Sequence, residues 1–170
     1  DCTVDNGTGQ ADVLKKIIAK CNARTVDLDV SIHFNSGAGD KSGNEKTTGV
    51  ECYVYSTASK AKAFAEKICQ AISNLGFKNR GVKISQKLYV LKKSKAPALL
   101  VECCFVDDKD DVQLYSYEEM ADAIVYGITG SGYSGMYTQN FTIASKAINA
   151  DDITVTLENS ASDAAEPLQA

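Results

Sequence analysis

Ala98-Leu99-Leu100-Val101-Glu102-Cys103-Cys104-Phe105-Val106 is the stretch on which the fold turns. It follows Pro97 and is apolar at nearly every position rather than at alternate ones. A strand covered on both faces reads this way, and such strands occur in the middle of parallel sheets. The single charge inside it, Glu102, is costly to bury unless it is paired or neutralised. Two readings stay open for it: the exposed end of the strand or a lysine partner, or a general base whose proton affinity is raised by its surroundings.

The flanking patterns fit a sheet with helices. Leu28, Val30, Ile32 and Phe34 alternate with Asp29, Ser31, His33 and Asn35, which predicts a strand with one apolar and one polar face. Gly49 to Tyr55 predicts another, with Val50, Cys52 and Val54 on the apolar side and Glu51 on the other, a solvent-facing residue in preference to a catalyst. Lys87 to Leu91 reads as a short strand. Helical spacing appears in Gln10 to Ala23, in Ser59 to Leu75 (stopped by Gly76), and in about Tyr117 to Ile128 with Met120, Ile124, Val125 and Ile128 inward. Strand–helix alternation with buried strands implies an α/β fold with a mainly parallel sheet flanked by helices. Residues 1–130 form the expected domain. Residues 131–170 read as a linker or tail, opened by Gly130, Gly132 and Gly135, with one strand permitted at Ile153, Val155 and Leu157 and a disordered end from Asn159.

Bulk properties narrow the function. The 170 residues suffice for one domain, and 44% hydrophobic with 24% charged residues is a globular composition. No apolar run approaches a membrane span and no basic-then-apolar leader opens the chain, so synthesis in the cytoplasm without membrane insertion is expected. The net charge of −4 belongs to the tail: residues 1–130 carry 17 basic and 17 acidic residues, and the rest has one lysine against five acids. The six cysteines include no CxxC pair. They read as buried thiols of a reducing compartment, with adjacent Cys103 and Cys104 on opposite strand faces and a poor redox pair.

Two further features bear on chemistry. His33 is the only histidine and lies at the carboxyl end of its strand, where open α/β sheets place their sites. It is either a surface or packed histidine or a metal ligand. Lys78 to Lys95 holds seven basic residues and no acid, which is either a solvated face or a surface for anionic polymers. Tyr89 alone gives thin support for base stacking, so nucleic acid ranks low.

Three stretches resemble the amidase-3 family of N-acetylmuramoyl-L-alanine amidases, in a style most like clostridial and phage endolysins. They are Asp29-Val30-Ser31-Ile32-His33-Phe34-Asn35, Gly49-Val50-Glu51-Cys52-Tyr53-Val54-Tyr55, and Lys95-Ala96-Pro97 continuing through Glu102 to Asp107. Asn79-Arg80-Gly81-Val82-Lys83 matches the family's Arg-Gly-x-Lys turn. The resemblance implies a phosphorylase/hydrolase-like zinc amidase architecture acting on peptidoglycan at the bacterial cell wall. His33 matches one of two zinc-binding histidines, Glu102 matches the catalytic glutamate, and Asn35, beside the ligand, could touch substrate. Zinc would lower the pKa of a bound water and polarise the scissile carbonyl. The family's other His and Glu ligands lie upstream of anything matching Asp1, so the expectation is a domain incomplete at its N-terminus. The alternative is a catalytically inactive relative that still binds peptidoglycan.

Overall fold

The computed structural model describes residues 8–131 and the backbone of strand residues 153–157. The glycines at 132 and 135 and the expected disordered end from Asn159 lie outside these residues. In chain order the elements are α1 (Gln10–Asn22), β1 (Leu28–Asn35), β2 (Val50–Val54), α2 (Lys62–Ser73), β3 (Asn79–Ile84), α3 (Tyr89–Lys93), β4 (Ala98–Phe105), α4 (Lys109–Leu114), α5 (Tyr117–Thr129) and β5 (Ile153–Leu157).

The strands form one sheet in the order β3-β2-β4-β1-β5. β4 and β5 run parallel to β1, β3 runs parallel to β2, and β2 is antiparallel to β4. The sheet is therefore mainly parallel, and the carboxyl ends of β1 and β4 meet the amino ends of β2 and β3 at one edge. The permitted strand at Ile153 exists and lies beside β1.

Both faces are covered by helices. On one, α2 and α5 bury Ile68, Ile72, Met120, Ile124 and Ile128 against Leu28, Val30, Val50, Cys52, Leu99 and Val101. On the other, Ile18 of α1 and Val90 and Leu91 of α3 pack on Ala98 and Leu100. This explains one departure from the alternation. Asp29 and Ser31, read as a polar face, are buried because that face lies under protein, not water. Val125, read as inward, is instead 38% exposed.

Other departures cluster between residues 78 and 115. Lys87 to Leu91 does not form a strand; Lys92 N–H bonds the Leu88 carbonyl, and Tyr89–Lys93 is a helical turn. Five residues with consecutive apolar positions carry no period to tell the two apart. The strand is upstream, at Asn79–Ile84. α4 was not expected; Asp108 caps it by accepting from Asp111 N–H. All five described cysteines are buried, in keeping with the thiol reading.

Gly127 marks a close contact between α5 and α2. A Cβ there would lie 2.6 Å from Ile68 Cγ1 and 2.7 Å from Ile68 Cα. Only a residue without a side chain lets α5 approach the α2 backbone this closely. Gly127→Ala is therefore expected to destabilise the domain by about 1–3 kcal/mol, read as a lower urea midpoint despite alanine's better helix propensity.

Candidate active site

Register alone assembles the site. Glu102 on β4 pairs with His33 on β1 and with Glu51 on β2. Residues directly paired across strands point to the same face, so Glu51, Glu102 and His33 form a row over three adjacent strands. Glu102 is in phase with Leu100 and Ala98, and Glu51 with Tyr53. The row is thus on the α1/α3 face, at the strand ends where those helices no longer cover the sheet.

Glu51 departs most from expectation. It does not face solvent: its side chain is 2% exposed. It accepts from Arg80 Nε at 2.6 Å, from Tyr53 Oη at 2.7 Å and from Asn35 Nδ2 at 3.0 Å, and it also pairs with Lys83 Nζ. Burial works to raise its pKa, but the bonds from Lys83, Arg80 and Tyr53 outweigh it and hold the group down at about 2. The Tyr53 phenol, buried and donating to Glu51, is pushed up.

A β-bulge brings both cations to one carboxylate. Val50 pairs with Asn79 but Cys52 pairs with Val82, so β3 carries one extra residue opposite Glu51. In a regular strand Arg80 and Lys83, three apart, would point to opposite faces. The extra residue puts them on the same face, and Gly81 takes the positive φ of 77° that the bulge needs. The Arg-Gly-x-Lys turn is therefore part of a strand, and two of the seven basic residues of 78–95 are drawn into the site.

A second bulge shapes the same edge. His33 pairs with Glu102 and Asn35 with Phe105, so β4 gains one residue there. Phe105 comes to the site face and lies under the Arg80 guanidinium, 5.0 Å from ring centroid to Cζ. The slip also corrects the opposite-face reading of Cys103 and Cys104: both belong to the core beneath α2 and α5. Burial raises both thiols, Cys104 to about 12, which favours the neutral thiol over the thiolate at neutral pH.

Glu102 behaves oppositely to Glu51. Burial, and then the Glu51 charge, raise its pKa to about 7. Its Oε2 is buried without a hydrogen-bond partner. Asn35 is engaged on both ends of its amide, donating to Glu51 and accepting from Ser36 N–H at 2.9 Å. Among the described residues no group of three His, Cys, Asp or Glu comes together that could hold a metal. His33 and Glu102 fall short of the three protein ligands that catalytic zinc needs.

The long segment 36–48 is held by carboxylates that the sequence reading passed over. Asp107 accepts from the amides of Gly37, Ala38 and Gly39 at 2.9, 3.2 and 2.9 Å. Asp110 accepts from Asn44 N–H, Asp108 from the Thr48 hydroxyl, and buried Asp111 from Gly49 and Phe105 N–H. The run Asp107-Asp108-Lys109-Asp110-Asp111 directly after the apolar strand was the available signal: acids beside a Gly-rich loop can satisfy its backbone donors.

Replacing Glu51 tests the cluster. Glu51→Gln removes the counter-charge of two cations that keep about a third of their exposure, so the expected loss is about 1–3 kcal/mol at pH 7. The folded pKa lies below the ordinary 4.5, so this contribution is complete above pH 4.5 and fades as pH falls towards 2. Unfolding midpoints of the two proteins should converge over that window.

Comparison with known proteins supports the same assignment. The N-acetylmuramoyl-L-alanine amidase family (Amidase_3) matches residues 2–131. The chain is 32% identical over 130 residues to the endolysin of Bacillus phage SPP1, covering 71% of this chain and 45% of that one. It is 34% identical over 126 residues to the N-acetylmuramoyl-L-alanine amidase LytC of Bacillus subtilis, covering 71% and 24%. Among solved structures it resembles the catalytic domain of the CD27L endolysin targeting Clostridia Difficile, with TM-score 0.66, 30% identity and coverage of 77% and 69%. The chain spans between a third and a half, 34% to 45%, of the length of the first curated relatives it matches. By its matched residues and by its fold, the chain belongs to the N-acetylmuramoyl-L-alanine amidase family.

Proposed function

We propose that residues 1–130 carry the water-activating half of an amidase that hydrolyses the bond between the lactyl group of N-acetylmuramic acid and L-alanine in peptidoglycan, at the bacterial cell wall. The supporting observation is Glu102: a carboxylate near pKa 7 with one orphaned oxygen, at the open end of a buried strand. A base with a pKa near the working pH best combines correct protonation with driving force. Glu102 takes a proton from the attacking water and returns it to the departing amine of L-alanine. Asn35 keeps one N–H of its amide for a substrate oxygen. The neighbouring family members named for endolysin and amidase activity favour this reaction class. No helix among the described residues is long and apolar enough to cross a membrane.

Zinc is the proposed cofactor and His33 one of its ligands, on the strength of the resemblance. The described residues do not complete its ligand set, so elemental analysis of the 170-residue chain is expected to find zinc well below one per chain. Near-stoichiometric zinc would show that His33 finds further ligands here. The same shortfall favours a second reading for the isolated chain, a binder that retains walls in a pull-down but releases no peptides. In a polypeptide with a complete ligand set, Glu102→Ala is expected to slow wall lysis by about 10²-fold or more while bound zinc is unchanged. Full lysis by that variant would remove Glu102 from the role of base.

A further inference from the structure

The Glu51 cluster holds more positive than negative charge. One cation suffices to balance Glu51, yet Arg80 and Lys83 both reach it. Neither is closed off: their side chains are 29% and 39% exposed, while Glu51 itself is sealed at 2%. The surplus charge therefore shows on the surface as cation, not as carboxylate. Both groups are also held in place. The Arg80 guanidinium lies over Phe105 and spends only Nε on Glu51, which leaves its terminal N–H groups for an incoming acceptor. Lys83 Nζ stands 5.7 Å from the Tyr53 ring centroid.

The position of this charge relative to Glu102 is set by strand spacing. β3 lies two strands from β4, which is about 10 Å, less the reach of two long side chains. An extended peptide advances about 3.3–3.6 Å per residue. A stem peptide whose first amide nitrogen sits over Glu102 thus brings the substituent of its second residue within reach of Arg80 and Lys83. In wall peptides that second residue is a D-glutamate joined through its side-chain carboxyl, so its α-carboxylate is either free or amidated.

We propose that Arg80 and Lys83 form a subsite for the α-carboxylate of the second stem-peptide residue, which makes the chain prefer the free acid to the amide. The proposal rests on the amidase reading of this face. Glu51 is then the positioning residue, buried so that it orients both cations without presenting its own charge to the ligand. The two bulges serve the same end: one aims Arg80 and Lys83 together, and the other places Phe105 under the guanidinium.

Calorimetric titration of the 170-residue chain tests this with three ligands: N-acetylmuramoyl-L-alanyl-D-glutamate, the same compound ending in D-isoglutamine, and N-acetylmuramoyl-L-alanine amide. The free acid is expected to bind roughly 5- to 10-fold more tightly than the isoglutamine form, as one charge-assisted hydrogen bond would give. Lys83→Gln should abolish that preference and Lys83→Arg should keep it. Arg80 still balances Glu51 in both variants, and a cooperative unfolding transition in each, even at a lower midpoint for Lys83→Gln, checks that the fold is kept. Equal binding of acid and amide by the unaltered chain would overturn the subsite and leave the amidase reading standing. A preference that survives Lys83→Gln would overturn the assignment to these residues. Failure of all three ligands to bind would overturn the reading of this face and the subsite with it.

Discussion

A carboxylate taken out of water must find partners or give up its charge. Glu51 finds four donors, and most of the site edge is arranged around that requirement. Arg80 and Lys83 can both reach it only because β3 is bulged, and the bulge needs a glycine at position 81. Asn35 is drawn towards it from β1, two strands away, which orients the end of the strand that carries His33. Tyr53 is committed to it on the same strand. One buried negative charge thus ties three strands together at the edge that carries His33 and Glu102.

That charge also sets the character of its neighbour. Glu51 and Glu102 stand side by side across an antiparallel pair, yet one is held near pKa 2 and the other near 7. The difference lies in their donors, since Glu51 is the more deeply buried of the two and yet keeps its charge. Glu51 has two cations, a phenol and an amide, whereas Glu102 has an oxygen with no donor and a negative neighbour. Two neighbouring carboxyl groups are pushed apart in this way: Glu51 stays ionised at neutral pH, whereas Glu102 titrates near it.

The far wall of this edge is built from the acids of 107–111. A Gly-rich segment such as 36–48 has many backbone donors and few ways to satisfy them. Here the carboxylates after β4 accept from Gly37, Ala38, Gly39, Asn44 and Gly49. The connection from His33 to Glu51 therefore follows a defined course back to the sheet. Asp111, fully buried, bonds the amides of Gly49 and Phe105 at once and so sets the entry to β2 against the end of β4.

Sequence by itself determined the layered α/β class, the central strand at Ala98, the polar ends of the strands carrying His33 and Glu102, the three longer helices and the family. Each of these rests on a period or a motif sustained over eight or more residues, long enough for burial to leave a pattern. Tertiary structure alone decided the rest. Period two marks Glu51 as opposite to Val50 and Cys52 but cannot say whether that side meets water or Arg80. A bulge leaves no trace in hydrophobicity, so the face shared by Arg80 and Lys83, and the common burial of Cys103 and Cys104, emerge only when strands are paired. The same holds for Asp29 and Ser31, whose burial depends on α1 and α3 lying above them. Local sequence encodes which side of a strand a residue takes, whereas what waits on that side is supplied by chain segments far away.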